Sequence, residues 1–535
     1  MQWRVVIELT GSDGSTQVHE AQAGDCAPTP DPAATVGLTL AVSKQVLVGL
    51  QRHLVQGQTE DYCQSRRRCR YCGAQRPLRD RCPRRLRTLF GVVEVRAPRF
   101  EPCRCSVTRH ETLSPVGEIM PDRCTLEYER TLAKLGGLLP YRRACALLEE
   151  LFPLGEPPVV ETARQRTLQV GARLECQAAA PPRSTSAAAK SITLSIDSGH
   201  VSSVRSYQAR SFEIIVAQVS NDNGKHTVFA SVPAEAYHEA QQLRGVMHDL
   251  GTTQTTPVTV LSDGADGPRG LGETASIGPT YHVLDWFHLA MRIHHVAQAI
   301  KGWPDDTPEN RREAVRLADI VDQHIRWRLW HGQVQRALDL IGGTLGPLEA
   351  TANDEASPVA ASARKVADFL RALETYVSGQ SEIIIDYATS RLYELPISTV
   401  PTKSTMQWLL HCRMNANQQM RWSPRGAHRM LKVRTSVMNG TFEQDCAAAE
   451  WRAKRPYRRA AGLPQGSGRS RNECRIVLVI GIVHADFPYS ADDCVPDGSA
   501  DARSDRGPLP GVSSLMAPFA RRVLRGARVV QVICG

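Results

Sequence analysis

Apolar and polar positions alternate from Trp3 to Leu9, which predicts a short strand, and Gly, Asp and Pro then interrupt the chain until Val36. Leu40, Leu47, Leu50 and Leu54 fall at helical spacing, with Lys44, Gln45, Arg52 and His53 on the remaining positions, so an amphipathic packing helix follows. Alternation returns over residues 92–98. Residues 124–176 read as helices, with Leu132, Leu135, Leu138 and Leu139 and then Leu147, Leu148 and Leu151 ahead of Pro153. The low-complexity stretch 178–190, rich in Ala, Ser and Pro, reads as a linker.

After the linker the period is two. Residues 191–201 alternate and deliver Asp197 at the strand's end; residues 212–219 and 226–232 add two strands joined by the turn Asn221-Asp-Asn-Gly224, an antiparallel meander. Residues 234–250 are helical, 257–261 form a buried strand ending in Ser262-Asp263-Gly264, and 281–284 form a strand that leads into a helix over 287–300. Residues 308–379 are helical. Ser423 as N-cap, Pro424 at the first helical position and Asn439-Gly440 as a stop define a further helix over 424–438.

Three strands, a helix, a strand, a strand and a helix, with one aspartate on the first strand and another after the fourth, is the plan of a ribonuclease-H-like fold. The predicted class is therefore α/β: a ribonuclease-H-like mixed sheet interrupted by an all-helical insertion, behind an N-terminal helical and zinc-ribbon-like DNA-binding region. The expected divisions are 1–62 (strand and amphipathic helix), 63–110 (cysteine-rich module), 111–190 (helical region and linker), 191–302 (first part of the sheet domain), 303–395 (helical insertion), 396–440 (its last part) and 441–535 (a divergent tail).

Composition narrows the function classes. At 535 residues the chain exceeds one core, and an apolar share of 42% with 22% charged residues excludes wholesale disorder and a polytopic membrane protein. The longest apolar run, residues 476–483, is far short of the roughly 20 residues that span a bilayer. The start Met1-Gln2-Trp3-Arg4 lacks a secretory pattern, so a cytoplasmic protein with no membrane partner is expected. Lys and Arg number 65 against 55 acids, a net +10 that suits a polyanionic partner.

Six of the 15 cysteines lie between Cys63 and Cys105. Cys69 and Cys72 have the two-residue gap with which two thiolates grip one tetrahedral ion, Gly73 permits the turn, and Cys103 with Cys105 supplies a second pair, so a structural Zn2+ is expected. Cys63 and Cys82 are spare candidates, and unliganded buried thiols are the alternative reading. Arg66, Arg67, Arg68 and Arg70, with Tyr71 beside them, suit phosphate contacts on DNA, against the alternative of a solvated face. Strands one and four are neighbours in the predicted sheet, so Asp197 and Asp263 would converge and share two Mg2+ or Mn2+ ions.

The segments Cys69-Arg-Tyr-Cys72-Gly, Thr88-Leu-Phe-Gly91, Ala97-Pro-Arg99, Ser195-Ile-Asp197-Ser-Gly, Leu284-Asp-Trp-Phe-His288, Arg328-Leu-Trp-His-Gly332 and Gln418-Gln-Met-Arg-Trp-Ser-Pro-Arg-Gly-Ala-His428 resemble those of ISKra-type insertion-sequence transposases, over about residues 36–440. The resemblance implies a bacterial DDE transposase that binds the terminal repeats of its element, cuts the ends and joins them to target DNA, at least as a dimer on double-stranded DNA. It places the first two acids at Asp197 and Asp263. At the position of the third stands Lys403, expected to be non-functional there and to impair catalysis; Glu394, nine residues earlier, is a remote substitute, and Lys403 acting itself, as lysines do in some nuclease sites, is the other alternative. The Asp285-Trp-Phe-His288 turn resembles one that follows the second acid in related eukaryotic transposases and puts His288 near the active site or the DNA.

Trp327 and Trp330 can stack on an extruded base or simply pack a core. Arg425, Arg429 and Lys432 share one helical face and, with Arg413, Arg421 and Trp422, make a candidate phosphate track. Residues 472–535, ending in Val529-Val-Gln-Val-Ile-Cys534, fit no ending of that family and read as a frameshifted or read-through tail. The alternative function is a non-catalytic zinc-containing DNA-binding protein; a zinc protein that handles RNA has less support, because no aromatic RNA-binding motif is present.

Overall fold

The computed structural model describes residues 2–25, 37–103, 105, 112–178, 187–235, 238–414, 420–453 and 476–482. They fall into two units, one of residues 1–128, 148–157 and 465–535, the other of residues 129–147 and 158–464.

In the first unit β1 (Gln2–Thr10) pairs antiparallel with β2 (Thr16–Asp25), with a register shift between Val5 and Val6. The free edge of β1 takes the strand Ile476–Ile482, also antiparallel, from the region expected to be a divergent tail. The end at Val529–Cys534 and most of the linker at 178–190 lie outside the described residues. Helix α1 (Leu40–Arg67) starts at Thr39, whose hydroxyl accepts from the Val42 amide at 3.3 Å, and runs well past the leucine repeat. Its Val55 and Cys63 pack against Leu86, Val93, Val95 and Ala97 of a hairpin, β3 (Leu78–Thr88) and β4 (Gly91–Phe100). Gly91, at φ 107°, makes the turn that few other residues tolerate. A short α2 (Pro115–Ile119) follows.

Helices α3 (Leu126–Leu138) and α4 (Tyr141–Leu151) span the division between the units, and α5 (Val160–Ala178) opens the larger part of the second. Its sheet comprises β5 (Ile192–Ser202), β6 (Ser211–Asn221), β7 (His226–Ser231), β8 (Val258–Ser262) and β9 (Thr280–Leu284), in the order β7-β6-β5-β8-β9. The first three are antiparallel; β8 and β9 run parallel to β5. The fold is thus mixed α/β around a five-stranded mixed sheet. Ile192, Leu194 and Ile196 of β5 are fully buried among Val258, Val260, Leu243 and Met247, each side chain contributing about 2 kcal/mol. Helices α6 (Glu239–Asp249) and α7 (Asp266–Ala275) flank β8, and α8 (Trp286–Lys301) leaves the end of β9.

Further helices among the described residues are α9 (Pro308–Asp319), a π-helical turn Ile320–Ile325, α10 (Arg326–Trp330), α11 (Val334–Asn353), α12 (Ala360–Gly379), a 3-10 turn Ser381–Ile383, α13 (Tyr387–Leu392), α14 (Val400–Met406) with a second π-helical turn Gln407–His411, α15 (Pro424–Met438) and α16 (Phe442–Ala453). Leu289, Ile293 and Val296 of α8 share one core with Leu317, Leu329, Ile341, Leu370 and Leu373 of the helical segment. No described helix is long and apolar enough to cross a membrane.

Candidate functional site

Asp197 stands on β5 and Asp263 just past β8, each two residues beyond the in-register parallel pair Ser195 and Leu261. β5 runs on to Ser202 against β6, so Asp197 lies mid-strand and not at the strand's end as expected; the two carboxyls meet where the parallel β5–β8 pairing stops. His288, on the first turn of α8, joins them: one ligand atom from each of the three lies within 4.8 Å of the others. Asp197 is buried and accepts from the Ser198 amide at 2.9 Å. Burial raises its pKa above the usual carboxylate value, against the opposing pull of the nearby His288 and Lys403. Two carboxylates and an imidazole suit a hard divalent cation; an ammonium beside them does not.

That ammonium is Lys403. Helix α14 lies over β5 and β6: a Cβ on Gly199 would meet Met406 Sδ at 3.2 Å, and the Thr405 hydroxyl donates to Gln218 Oε1 at 3.0 Å. From there Lys403 Nζ reaches to 2.9 Å from His288 Nε2 and sits 4.0 Å above the Phe287 ring. The other face of His288 is fixed by Asp285, which is fully buried, with Oδ2 2.7 Å from Nδ1.

Asp285 also caps α8 by accepting from the Phe287 amide at 3.0 Å, and it accepts from the Thr399 amide at 3.0 Å and the Thr399 hydroxyl at 2.7 Å. Burial alone would raise this carboxyl; the hydrogen bonds from His288 and Thr399 outweigh it and hold the group down at about 2. Thr399 precedes α14 but spends its hydroxyl on Asp285 instead of capping its own helix. One buried carboxylate thus ties the start of α8 to the start of α14, and with them His288 to Lys403.

The loop carrying Asp263 is braced by the helical segment. Tyr376 of α12 donates to the Asp263 carbonyl at 2.8 Å, and Gln380 Nε2 donates to the Gly264 carbonyl at 3.1 Å. Gly264 has φ 85°, and a Cβ there would sit 2.7 Å from the Gln380 side chain, so the position requires glycine. Arg292 stacks over Tyr376 at 3.9 Å. Sequence reading did not find Asp285, Thr399, Tyr376 or Gln380 as site residues. A signal existed for Asp285, an aspartate directly before a helix; none existed for a tyrosine 113 residues from its acceptor.

In the first unit Cys69, Cys72, Cys103 and Cys105 converge. Their sulfurs stand 3.2 to 3.5 Å apart across the pairs Cys69–Cys105, Cys72–Cys103, Cys72–Cys105 and Cys103–Cys105. These separations are too long for a disulfide and close to the roughly 3.8 Å edge of a tetrahedron of thiolates about one zinc. Backbone amides of Cys72 and Tyr71 stabilise the Cys69 thiolate and lower this thiol to about 6, whereas the hydrogen bonds with Cys69, Cys103 and Cys72 push Cys105 up to about 12. The four can hold a metal ion such as zinc. Cys63 is buried against the hairpin, and burial pushes it up to about 11; neither it nor Cys82 belongs to the group.

Several residues assigned to DNA contact by sequence are engaged elsewhere. Lys432, placed on an exposed face, is buried: its Nζ donates to Gln242 Oε1 at 2.7 Å and to the Ala230 carbonyl at 3.2 Å, over the Phe229 ring. Trp422 is buried too, with its backbone bonded to Ser202 and Val204 at 3.0 Å. Arg413 is fully buried and donates to the Gly136 carbonyl at 3.1 Å. Trp330 packs with Trp286 and Tyr387, ring centres 4.7 and 6.0 Å away, whereas Trp327 is half exposed and stacks on His331.

Arg66 is spent on Glu118 at 2.8 Å. Arg429 is half-buried and Arg67 is too, while Arg68, Arg70, Arg421 and Arg425 are exposed. Glu394, the substitute acid, is exposed with a left-handed φ of 55° on the loop before α14. The chain matches no family model and no curated protein.

Proposed function

We propose that the protein is a DNA transposase of the DDE class from a bacterial insertion sequence, with a ribonuclease-H-like catalytic domain impaired by Lys403. The observation that carries this reading is the convergence of Asp197 and Asp263, from adjacent parallel strands, on one cluster with His288, in a sheet ordered β7-β6-β5-β8-β9. That strand order, with an acid on the first strand and another after the fourth, is the arrangement expected of such a nuclease domain. A divalent cation such as Mg2+ or Mn2+ held by these carboxylates would supply Lewis-acid polarisation of a phosphodiester and an activated water or 3′ hydroxyl.

The protein's own residues set the rest. Asp197 and Asp263 would hold the cation, and the helical segment braces the Asp263 loop through Tyr376 and Gln380. Lys403 brings a positive charge where a third carboxylate would complete the site, which removes a ligand and repels cations. Zinc at the four cysteines would shape a surface from which Arg68 and Arg70 meet DNA phosphates, a salt-sensitive contact that reads little sequence. The partners are double-stranded element ends and target DNA, and a dimer brings two ends together.

Lys403→Glu is expected to nick supercoiled plasmid in Mn2+ at least tenfold faster than the natural chain, by restoring a metal ligand, and Asp263→Ala in that background to abolish nicking. The Lys403–His288 contact favours one second reading, a DNA-binding protein that no longer cuts. A folded, DNA-binding Lys403→Glu protein that stays inert would support that reading instead.

A further inference from the structure

His288 is pinned at both nitrogens. The Nδ1–H bond is poorly aligned on Asp285 Oδ2, yet at 2.7 Å no other atom fits between them, and the carboxylate sets the ring proton on Nδ1. Asp285 cannot turn away to release it, because its oxygens are also held by Phe287 and twice by Thr399. Nε2 is then the acceptor of the ring, with a single in-plane lone pair. Lys403 Nζ donates into that lone pair at 2.9 Å.

The same Nε2 is the nitrogen available to complete a cation site with Asp197 and Asp263, since the Nδ1 side is occupied. One lone pair cannot serve an ammonium and a metal ion together. Lys403 is moreover tethered: α14 is fixed to β6 by Thr405 and to α8 through Thr399 and Asp285, and the Phe287 face adds a cation–π contact. The ammonium thus competes at high effective concentration for the third ligand and repels a dication at the first two.

Resting on the reading of Asp197 and Asp263 as a divalent-cation site, we infer that Lys403 is a built-in cation that masks His288. In the natural chain the two carboxylates alone hold one ion, weakly. Once the ammonium is removed His288 becomes a metal ligand. The positive charge at position 403 therefore acts on metal occupancy directly, beyond the loss of a carboxylate.

The test is Mn2+ binding to the full-length chain, followed by the electron paramagnetic resonance signal of free Mn2+. Asp197→Ala marks ions bound elsewhere. Lys403→Met should bind the Asp197-dependent ion at least tenfold more tightly than the natural protein, since a like charge has gone and a ligand is freed. His288→Ala should weaken binding about tenfold in the Lys403→Met background and by less than about twofold in the natural one, a non-additivity that a merely structural histidine would not produce. Lys403→Gln serves as the second variant where methionine perturbs α14, with thermal melting as the fold check.

Equal affinity in the natural and Lys403→Met proteins, or the same His288→Ala effect in both backgrounds, would overturn the inference and leave the acid site standing. Absence of any Asp197-dependent ion in every variant, Lys403→Glu included, would overturn the inference together with the acid-site reading.

Discussion

Arg425, Arg429 and Lys432 lie on one helical face, and spacing alone assigns them one environment. The structure separates them: Arg425 is exposed, while Lys432 lies under β7 and α6 with Glu175 and Glu239 near its charge, and burial lowers it to about 8. Its neighbour Glu239 is pushed up to about 7, mainly by burial, with Lys432 pulling the other way. A carboxyl raised in the folded state adds stability that is complete below its unfolded value near 4.3 and is lost as pH rises through about 7. The protein should therefore lose thermal stability between about pH 5 and 7 from this group, and Glu239→Gln should flatten that part of the profile. Melting temperatures across the range check it; an unchanged slope in the variant would contradict the assignment.

At the level of elements, what the sequence revealed followed from burial on one face. Strands β5, β6 and β8 carry alternating or continuous apolar runs, so their existence was legible; β8 ends just before Asp263, whereas Asp197 lies in the middle of β5. Strand β3 was missed because Leu-Arg-Asp-Arg-Cys-Pro-Arg-Arg-Leu-Arg-Thr buries little beyond Leu86 and Thr88; cross-strand pairing with β4 makes it a strand. The strand Ile476–Ile482 was visible as an apolar run, but its partner at β1 lies more than 450 residues away, and no local pattern encodes that.

The hairpin has a consequence for the cysteines. Cys69 and Cys72 follow α1, while Cys103 and Cys105 follow β4, so one ion would clamp the helix end to the hairpin end. Cys69→Ser and Cys103→Ser should each abolish stoichiometric zinc and lower the melting point of the first unit, whereas Cys82→Ser should change neither. Zinc release to a colorimetric chelator, read beside a melting curve, makes the comparison; full zinc retention in Cys69→Ser would exclude the four-cysteine site.

For the whole molecule, the candidate chemistry depends on residues far apart in the chain. Asp197 and Asp263 come from one sheet, His288 and Asp285 from the exit of β9, Tyr376 and Gln380 from the helical segment, and Thr399 and Lys403 from the return to the sheet. The convergence of Asp197 and Asp263 was expected from the adjacency of their strands, although Asp197 lies mid-strand and not at a strand end. The buried tie through Asp285 was not, because a hydrogen bond across 114 residues leaves no periodic trace. The same geometry places an ammonium against the histidine of a three-residue group that could otherwise hold a dication.

The most direct test is Mn2+-dependent joining of a pre-cleaved element end to plasmid DNA, comparing the natural chain, Lys403→Glu, and Lys403→Glu combined with Asp197→Ala. The account predicts joined product with Lys403→Glu alone. Efficient joining by the natural chain, or joining that survives Asp197→Ala, would contradict it.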